Sequence, residues 1–300
     1  MIKRQITIKQ IAYESLGRLW PMRRGRDRWL RFLLSCFEVK SYGFFKQKSF
    51  GKYHLQLDPS DPNDRCYYFS IAGSGYTLLA SRLLRAGDCV IDVGANVGHF
   101  SATCAQFVGT SGMVHAIEAN PDLFNRLQLM ASDTSEGSIK AHHFAMWKTS
   151  GSVPFYVATT SGWSSLIQNN TFKTLNTVDV PALTLDEFTQ TENIRQVRFL
   201  KLDTEGAETD ILLGGRNFLA HQIADTILLE AEPIRLMAFG RNGSEIANLM
   251  GKNKYRLVCI IDSEKVRPLS KKNRIPGSLN CDYLYAAEHL YKNIRDAIFS

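Results

Sequence analysis

The segment Val90-Ile-Asp-Val-Gly-Ala-Asn-Val-Gly-His-Phe100 constrains this chain more than any other. An apolar run carrying Asp92 ends at Gly94, and apolar residues resume after Gly98 with helical spacing. That pattern is a strand, a tight turn and a helix start, a junction that holds ligands at the carboxyl edge of a parallel sheet. A phosphate-cradling loop needs G-x-x-x-x-G-K-[ST], so that a lysine reaches the terminal phosphates. His99 and Phe100 follow Gly98 here, and that reading fails. A dinucleotide loop needs G-x-G-x-x-G, whereas Gly94 and Gly98 stand at G-x-x-x-G, which weakens that reading. A nucleoside cofactor without phosphate, S-adenosylmethionine, fits better. Its amino and sulfonium groups are cationic, so carboxylates beside the loop are useful, and Asp92 is in place to orient the loop or the amino-acid end.

A ribose needs an acceptor for two vicinal hydroxyls, and an acid ending the next strand supplies one. Met113-Val-His-Ala-Ile-Glu118 ends on Glu118. Asn120-Pro121 then cap and start a helix, so Glu118 also reads as an acid near a helix N-terminus.

Around this junction runs a strand and helix rhythm. Strands are expected at 89–93, 113–117, 139–145, 197–202, 226–230, 255–261 and 282–286, and helices at 97–108, 121–131, 206–213 and 244–251. Fully apolar strands such as Thr226-Ile-Leu-Leu-Glu230 belong in a sheet covered on both faces. The fold class is α/β, a doubly wound, mostly parallel seven-stranded sheet with an antiparallel edge strand. Residues 150–183 are polar and strand-poor in pattern and read as an insertion near the ligand edge. Residues 58–64, DPSDPND, are a breaker, and a helix is expected from Tyr76 to Leu84. The expected division is a basic, partly helical extension over 1–75 and a catalytic domain over 76–300.

Charge is uneven. Residues 1–31 hold nine lysines and arginines against Glu14 and Asp27, an excess equal to the net charge of +7 of the whole chain. Such a segment suits an anionic membrane surface, an acidic partner or nucleic acid, or is simply a solvated helical face. Trp29, Leu30, Leu33, Leu34 and Phe37 form an apolar stripe beside the arginines. The six cysteines form no C-x-x-C pair, and Cys89, Cys104 and Cys259 read as small core residues in a reducing compartment. No apolar run approaches a membrane span, and the N-terminus MIKRQITIKQ lacks the apolar centre of a secretion signal. The expectation is a cytoplasmic protein, in contact with the membrane periphery at most.

The segments VIDVGANVGHFS, VHAIEANP, LKLDTEGAETDILLGG and ILLEAEP, in this order, resemble the FkbM-type family of S-adenosylmethionine-dependent methyltransferases. The resemblance runs from about Leu84 to Ala287, with LTLDEF and SGWSSL as further shared features. It implies a Rossmann-like methyltransferase fold and O-methylation of a hydroxyl on a sugar, glycan or natural product. It carries Asp92, Gly94, Ala95, Asn96 and Gly98 over as the cofactor loop, Glu118 and Ala119 as the ribose end, and Ala145-Met146 as the segment beside the adenine. An acid often contacts the adenine amine in the wider class, and none stands at Ala145-Met146.

The acceptor is expected after the fourth strand, where Val197-Arg-Phe-Leu-Lys-Leu-Asp203 runs into Asp203-Thr-Glu-Gly206. Methyl transfer to an alcohol needs positioning and removal of a proton, by a base or through a metal ion. Asp203, Glu205, Glu230 and Glu232 form an acidic constellation suited to either, and a divalent cation held by Asp203 and Glu230 is one option. Glu208 reads as a first-turn acid serving the helix dipole. His99, His115, His142 and His143 are alternative bases, and Ser164 and Ser165 are candidates for shaping the acceptor pocket. A nucleic-acid acceptor is disfavoured, because Asp-Thr-Glu-Gly stands where exocyclic amine chemistry uses an Asn/Asp-Pro-Pro-aromatic motif. A nicotinamide-dependent oxidoreductase remains the other rival.

Overall fold

The computed structural model describes residues 46–59, 61–70, 72–133, 137–158, 164–167, 174–262, 265–269, 276 and 281–300, with scattered positions before residue 46. Most of the basic N-terminal segment, and with it the expected membrane contact, lies outside the described residues, as do Ser161, Gly162 and Trp163.

Strands lie at β1 (Lys46–Phe50), β2 (Tyr53–Leu57), β3 (Cys89–Val93), β4 (Met113–Ile117), β5 (Ile139–His142), β6 (Ala145–Met146), β7 (Gly151–Ala158), β8 (Thr174–Leu183), β9 (Val197–Leu202), β10 (Ala224–Glu230), β11 (Tyr255–Asp262), β12 (Lys265–Pro268) and β13 (Asp282–Ala287). Helices lie at α1 (Pro62–Tyr68), α2 (Ser74–Leu83), α3 (His99–Val108), α4 (Pro121–Ala131), α5 (Leu185–Thr191), α6 (Glu208–Leu213), α7 (Arg216–Ala220), α8 (Pro233–Ala238), α9 (Gly243–Lys252) and α10 (Tyr291–Phe299).

The main sheet has eight strands in the order β12-β11-β13-β10-β9-β3-β4-β5. β3 pairs in parallel with both β4 and β9, so the chain winds outward through β4 and β5, returns to β9, and winds the other way through β10. The point of reversal lies between β3 and β9, where the loops leaving two adjacent parallel strands splay apart and open a crevice. All seven expected strands are present, and β12 is added at the edge. β13 does not end the sheet but runs antiparallel between β10 and β11, because five of its six residues are buried and need cover on both sides.

Successive strand residues feed opposite faces. Val90, Val114, Phe199, Leu228 and Leu284 pack under α2, α3, α4 and α10, while Ile91, Val93, Leu200, Leu202 and Ile227 pack under helices α5 to α9. Cys104 and Cys259 are fully buried in the first of these layers, and five described cysteines are free thiols. No described helix is long and apolar enough to cross a membrane.

Residues 150–183 differ from expectation. β7 and β8 form an antiparallel pair in a three-stranded sheet with β6. One face only is buried, against Ala145, Phe155, Val157 and Val180, and the other carries exposed polar residues, Pro154 and Pro181 among the pairs. A half-wet sheet with prolines leaves too few apolar residues to be read from pattern.

The breaker at 58–64 ends as a helix start: the Asp61 carboxylate caps α1 by accepting from the amides of Asn63 (2.9 Å) and Asp64 (3.1 Å), with Pro62 in the first turn. Packing runs across the expected division at residue 75. Tyr53, Leu55 and Leu57 are fully buried in the same core as α3 and α4, and the Tyr53 hydroxyl lies 3.1 Å from Ser138 Oγ. Arg126 on α4 donates to the Gln56 carbonyl and pairs with the buried Asp64 carboxylate. Leu55→Ala is therefore expected to cost about 2–5 kcal/mol, as for a core leucine. Urea denaturation checks it, and an unchanged midpoint would show that the hairpin is not part of the cooperative unit.

Candidate active site

Three strand ends meet at the crevice, and the Gly94 loop is wedged between two of them. The amides of Gly94 and Ala95 both donate to the Ile117 carbonyl at 3.0 Å, and the Asp203 amide donates to the Val93 carbonyl at 3.1 Å. Gly94 has φ +75°, and a Cβ on it would stand 1.9 Å from the Asp203 carbonyl oxygen. Only glycine allows the first and fourth parallel strands to bring their loops this close. Asn96 (φ 54°) and Glu205 (φ 62°) also lie in the left-handed region without being glycine. Such strain persists where surrounding structure imposes it, and both residues line the crevice.

The crevice holds about 290 Å³. Its loop side is built from Gly94, Ala95 and Asn96, its next wall from Glu118 and Ala119, and a further wall from Phe144, Ala145 and Met146. The opposite side carries Lys201, Asp203, Glu205, Glu230 and Arg235. Two residues expected in the loop set lie elsewhere. Asp92 is fully buried beneath the loop, where it accepts from Ser101 Oγ at 2.5 Å. Gly98 does not line the crevice, and a Cβ on it would lie 2.1 Å from Met130 Cε, so its smallness serves the approach of α3 to α4.

Glu118 is buried, and both its oxygens are engaged: Oε2 accepts from the Asn96 amide and Oε1 from the Asn120 amide, each at 2.8 Å. It ties the glycine loop to the start of α4, whose cap is Asn120 as expected. Burial pushes its carboxyl up to about 7, against the two amide bonds that favour ionisation. Each carboxylate oxygen keeps a second lone pair for a further donor in the crevice.

Sequence reasoning missed the residue at the centre. Lys201, on the middle strand β9, is 5% exposed, with Nζ 2.8 Å from Asp203 Oδ2 and 3.6 Å from Asp92 Oδ1. It also sits over the rings of Tyr76 and Phe100, at 5.8 and 5.6 Å. Burial opposes its charge, but the two carboxylates hold it protonated, above the usual lysine range. Burial would likewise raise Asp203, yet Lys201 holds it below the usual carboxylate range. The signal was a lysine inside the strand VRFLKL, whose other charge, Arg198, lies near its start and is only half-buried.

Beside this pair stands Glu230, with a carboxylate oxygen within 4.8 Å of one of Asp203. Burial first, then the charges of Asp203, Asp282 and Glu208, push its ionisation well above the usual carboxylate range. Asp203 and Glu230 thus form a dyad of unlike acidity, Asp203 pulled toward its ionised form and Glu230 toward its neutral one. Glu205 pairs with Arg235, which also pairs with Glu232 on the rim. Glu208 does more than face the helix dipole: its Oε1 accepts from the Thr204 amide and hydroxyl (2.8 and 2.9 Å) and from the Gly206 amide (3.3 Å), fixing the loop that presents Asp203.

The donor oxygens of Asp203, Glu205 and Glu230 lie within 4.8 Å of one another. Cations of the chain already compensate two of them, Lys201 pairing with Asp203 and Arg235 with Glu205, and burial disfavours the ionised form of Glu230, so the cluster has little uncompensated charge for a divalent cation. Of the histidines, His99 lines the crevice, stacked on Tyr67 at 4.2 Å and edge-on to Phe50 at 4.7 Å, and burial then Lys48 and Lys201 push it down to about 4. His115, His142 and His143 do not line it. Ser164 does, and Ser165 does not. The hairpin side contributes Asn63, Tyr67 and Tyr76, the last donating to Asp282 at 2.7 Å.

Lys201→Met removes the cation between two buried carboxylates and is expected to destabilise the fold by about 3–5 kcal/mol in urea denaturation. Asp92→Asn in the same background is expected to restore part of that loss, and a purely additive second loss would refute the charge account.

Residues 92–257, more than half of the chain, match the family described as Methyltransferase FkbM domain. The hexuronic acid methyltransferase AglP of Haloferax volcanii is 29% identical over 134 residues, which are 44% of this chain and 52% of that protein. The chain thus spans about half the length of this curated relative. Among solved structures, a methyltransferase FkbM from Methylobacillus flagellatus is similar at a TM-score of 0.43 and 16% identity, covering 92% of this chain and 58% of that one. A TehB-like methyltransferase from Corynebacterium glutamicum is similar at 0.41 and 11% identity, covering 75% of this chain and 95% of that one. On the sequence match from Asp92 to Leu257, which spans the glycine loop, Glu118 and the Asp203 strand, the chain belongs to the FkbM family of S-adenosylmethionine-dependent methyltransferases.

Proposed function

We propose that this protein transfers a methyl group to a hydroxyl of a sugar or glycan acceptor, with the Asp203–Glu230 dyad taking up the hydroxyl proton. One observation carries the reading: the Asp203–Glu230 dyad faces the same crevice as Glu118 and the Gly94–Asn96 loop, across the point where the sheet reverses. The similarity to a hexuronic acid methyltransferase supports a sugar as the acceptor class. S-adenosylmethionine, when bound, supplies an electrophilic methyl group on a sulfonium.

In this reading the loop amides and Glu118 hold the nucleoside, with the remaining lone pairs of Glu118 accepting the ribose hydroxyls. Ala119, Ala145 and Met146 line the adenine side, and Phe144 and Leu123 give it an apolar slot. Asp92 acts from beneath the loop through Ser101 and Lys201. Asp203 and Glu230 carry one negative charge between them, so an alcohol placed against Asp203 can pass its proton to the pair. Lys201 keeps the pair from taking that proton early, and Glu205 with Arg235 borders the place where an acceptor would enter.

Binding of S-adenosylhomocysteine, followed by calorimetry, tests the donor site. Glu118→Ala is expected to weaken it about tenfold or more, the cost of a lost charged hydrogen bond of about 1.5–3 kcal/mol. Ionised Glu118 accepts the ribose hydroxyls, and its carboxyl in the free protein titrates near 7. Affinity should therefore rise as pH increases toward about 7 and level off above it, by linkage. No binding to the wild type sinks the assignment, and a pH profile unchanged in Glu118→Gln sinks the role of that residue.

Asp203→Asn is expected to lower turnover on a hydroxylated sugar by about 10²–10⁴-fold with S-adenosylhomocysteine affinity little changed, as for loss of a general base. Full turnover in this variant would overturn the dyad.

A further inference from the structure

Away from the crevice, a second group of ligand-type side chains converges on the far edge of the sheet. β4 and β5 pair in parallel with His115 opposite Lys140 and Ile117 opposite His142. His115 and His142 are therefore diagonal neighbours on one face. α5 lies over that face, and Glu192, its C-terminal cap residue, brings a carboxylate to the same place. His115 Nδ1 stands 3.1 Å from His142 Nε2 and 3.9 Å from Glu192 Oε2, and the three donor atoms all lie within 4.8 Å of one another.

We infer that His115, His142 and Glu192 form a binding site for a first-row divalent cation, with Zn²⁺ as the best match. The geometry agrees in three ways. Two imidazole nitrogens bound to one tetrahedral zinc at 2.0–2.1 Å lie about 3.3 Å apart, close to the spacing here. The two rings lie 5.3 Å apart between centroids, inclined by 23°, and bring Nδ1 of one within 3.1 Å of Nε2 of the other. Phe188 meets both rings edge-on, at 84° and 88°, and fixes their orientation from behind.

A hydrogen bond between the two histidines accounts for only two of the three donors. Glu192 Oε2 is too far from His115 Nδ1 for a hydrogen bond but within the span of a shared cation. Glu192 Oε2 is also held by Lys140 Nζ at 2.6 Å. That lysine is 52% exposed, so it can swing into water at small cost when a divalent ion takes its place. Two imidazoles and one carboxylate leave a fourth position for water. The ion would clamp β4, β5 and α5 together behind Phe144, whose ring lies 5.9 Å from His142 and 5.5 Å from Phe188 and lines the crevice.

The test uses the full chain, stripped with a chelator and dialysed against Zn²⁺, with Co²⁺ in parallel for its visible ligand-field bands. The expected result is one equivalent retained, at least about tenfold weaker binding in His142→Ala and Glu192→Ala, and retention in Glu230→Gln, which probes the acidic cluster of the crevice instead. Zn²⁺ should raise Tm in the wild type and not in Glu192→Ala, a partly exposed position whose variant is expected to fold. No retained ion, equal retention in His142→Ala and Glu192→Ala, or loss in Glu230→Gln alone would each overturn the site. These readouts are independent of methyl transfer, so failure here leaves the proposed activity untouched and the reverse also holds.

Discussion

The buried ammonium of Lys201 holds the centre of this molecule together. It sits on the middle strand at the point where the sheet reverses, with Asp92 on one side and Asp203 on the other. It holds Asp203 in its ionised form and opposes the burial that pushes Asp92 upward, since an uncompensated charge in a dry interior costs several kcal/mol. The same ion fixes the height of the Asp203 loop against the Gly94 loop, whose backbones approach too closely for any side chain. The crevice between those loops is thus a consequence of one charge arrangement and one missing Cβ.

The crevice divides electrostatically. On the loop side, Glu118 is poised near neutrality by burial against two amide bonds. On the other side, Lys201 and Arg235 pair with Asp203, Glu205 and Glu232, and burial pushes Glu230 beside them toward its neutral form. A site that meets its own charges in this way has little call for a divalent ion. The histidine and glutamate group at the far edge has the opposite character, with neutral nitrogens and a single carboxylate held by an exposed lysine.

Much of this was legible. Strands β3, β4 and β9 fall on the expected residues, because each is apolar on both faces and bounded by glycine, proline or an acid. Asn120-Pro121 marked a helix start, and the side chain of Asn120 caps it. The β7–β8 pair was not legible, since only one of its faces is dry and the exposed run Leu175, Asn176 and Thr177 blurs the alternation. The hairpin carried a signal in the alternation of Tyr53, Leu55 and Leu57, but its partners on α4 lie some seventy residues away.

By itself the sequence determined the order of strands and helices, the glycine that permits the tight loop, and which acids end which strands. These follow from local rules of periodicity, backbone sterics and burial, which act over a few residues. Tertiary structure alone decided which acid carries the proton. Asp203 is ionised because Lys201 folds back beside it. Glu230 is pushed toward its neutral form because it is buried and Asp203, Asp282 and Glu208 surround it, and Asp92 was drawn under the loop rather than into the crevice. Coulomb energies and desolvation depend on distance through space, and no spacing along the chain encodes that distance.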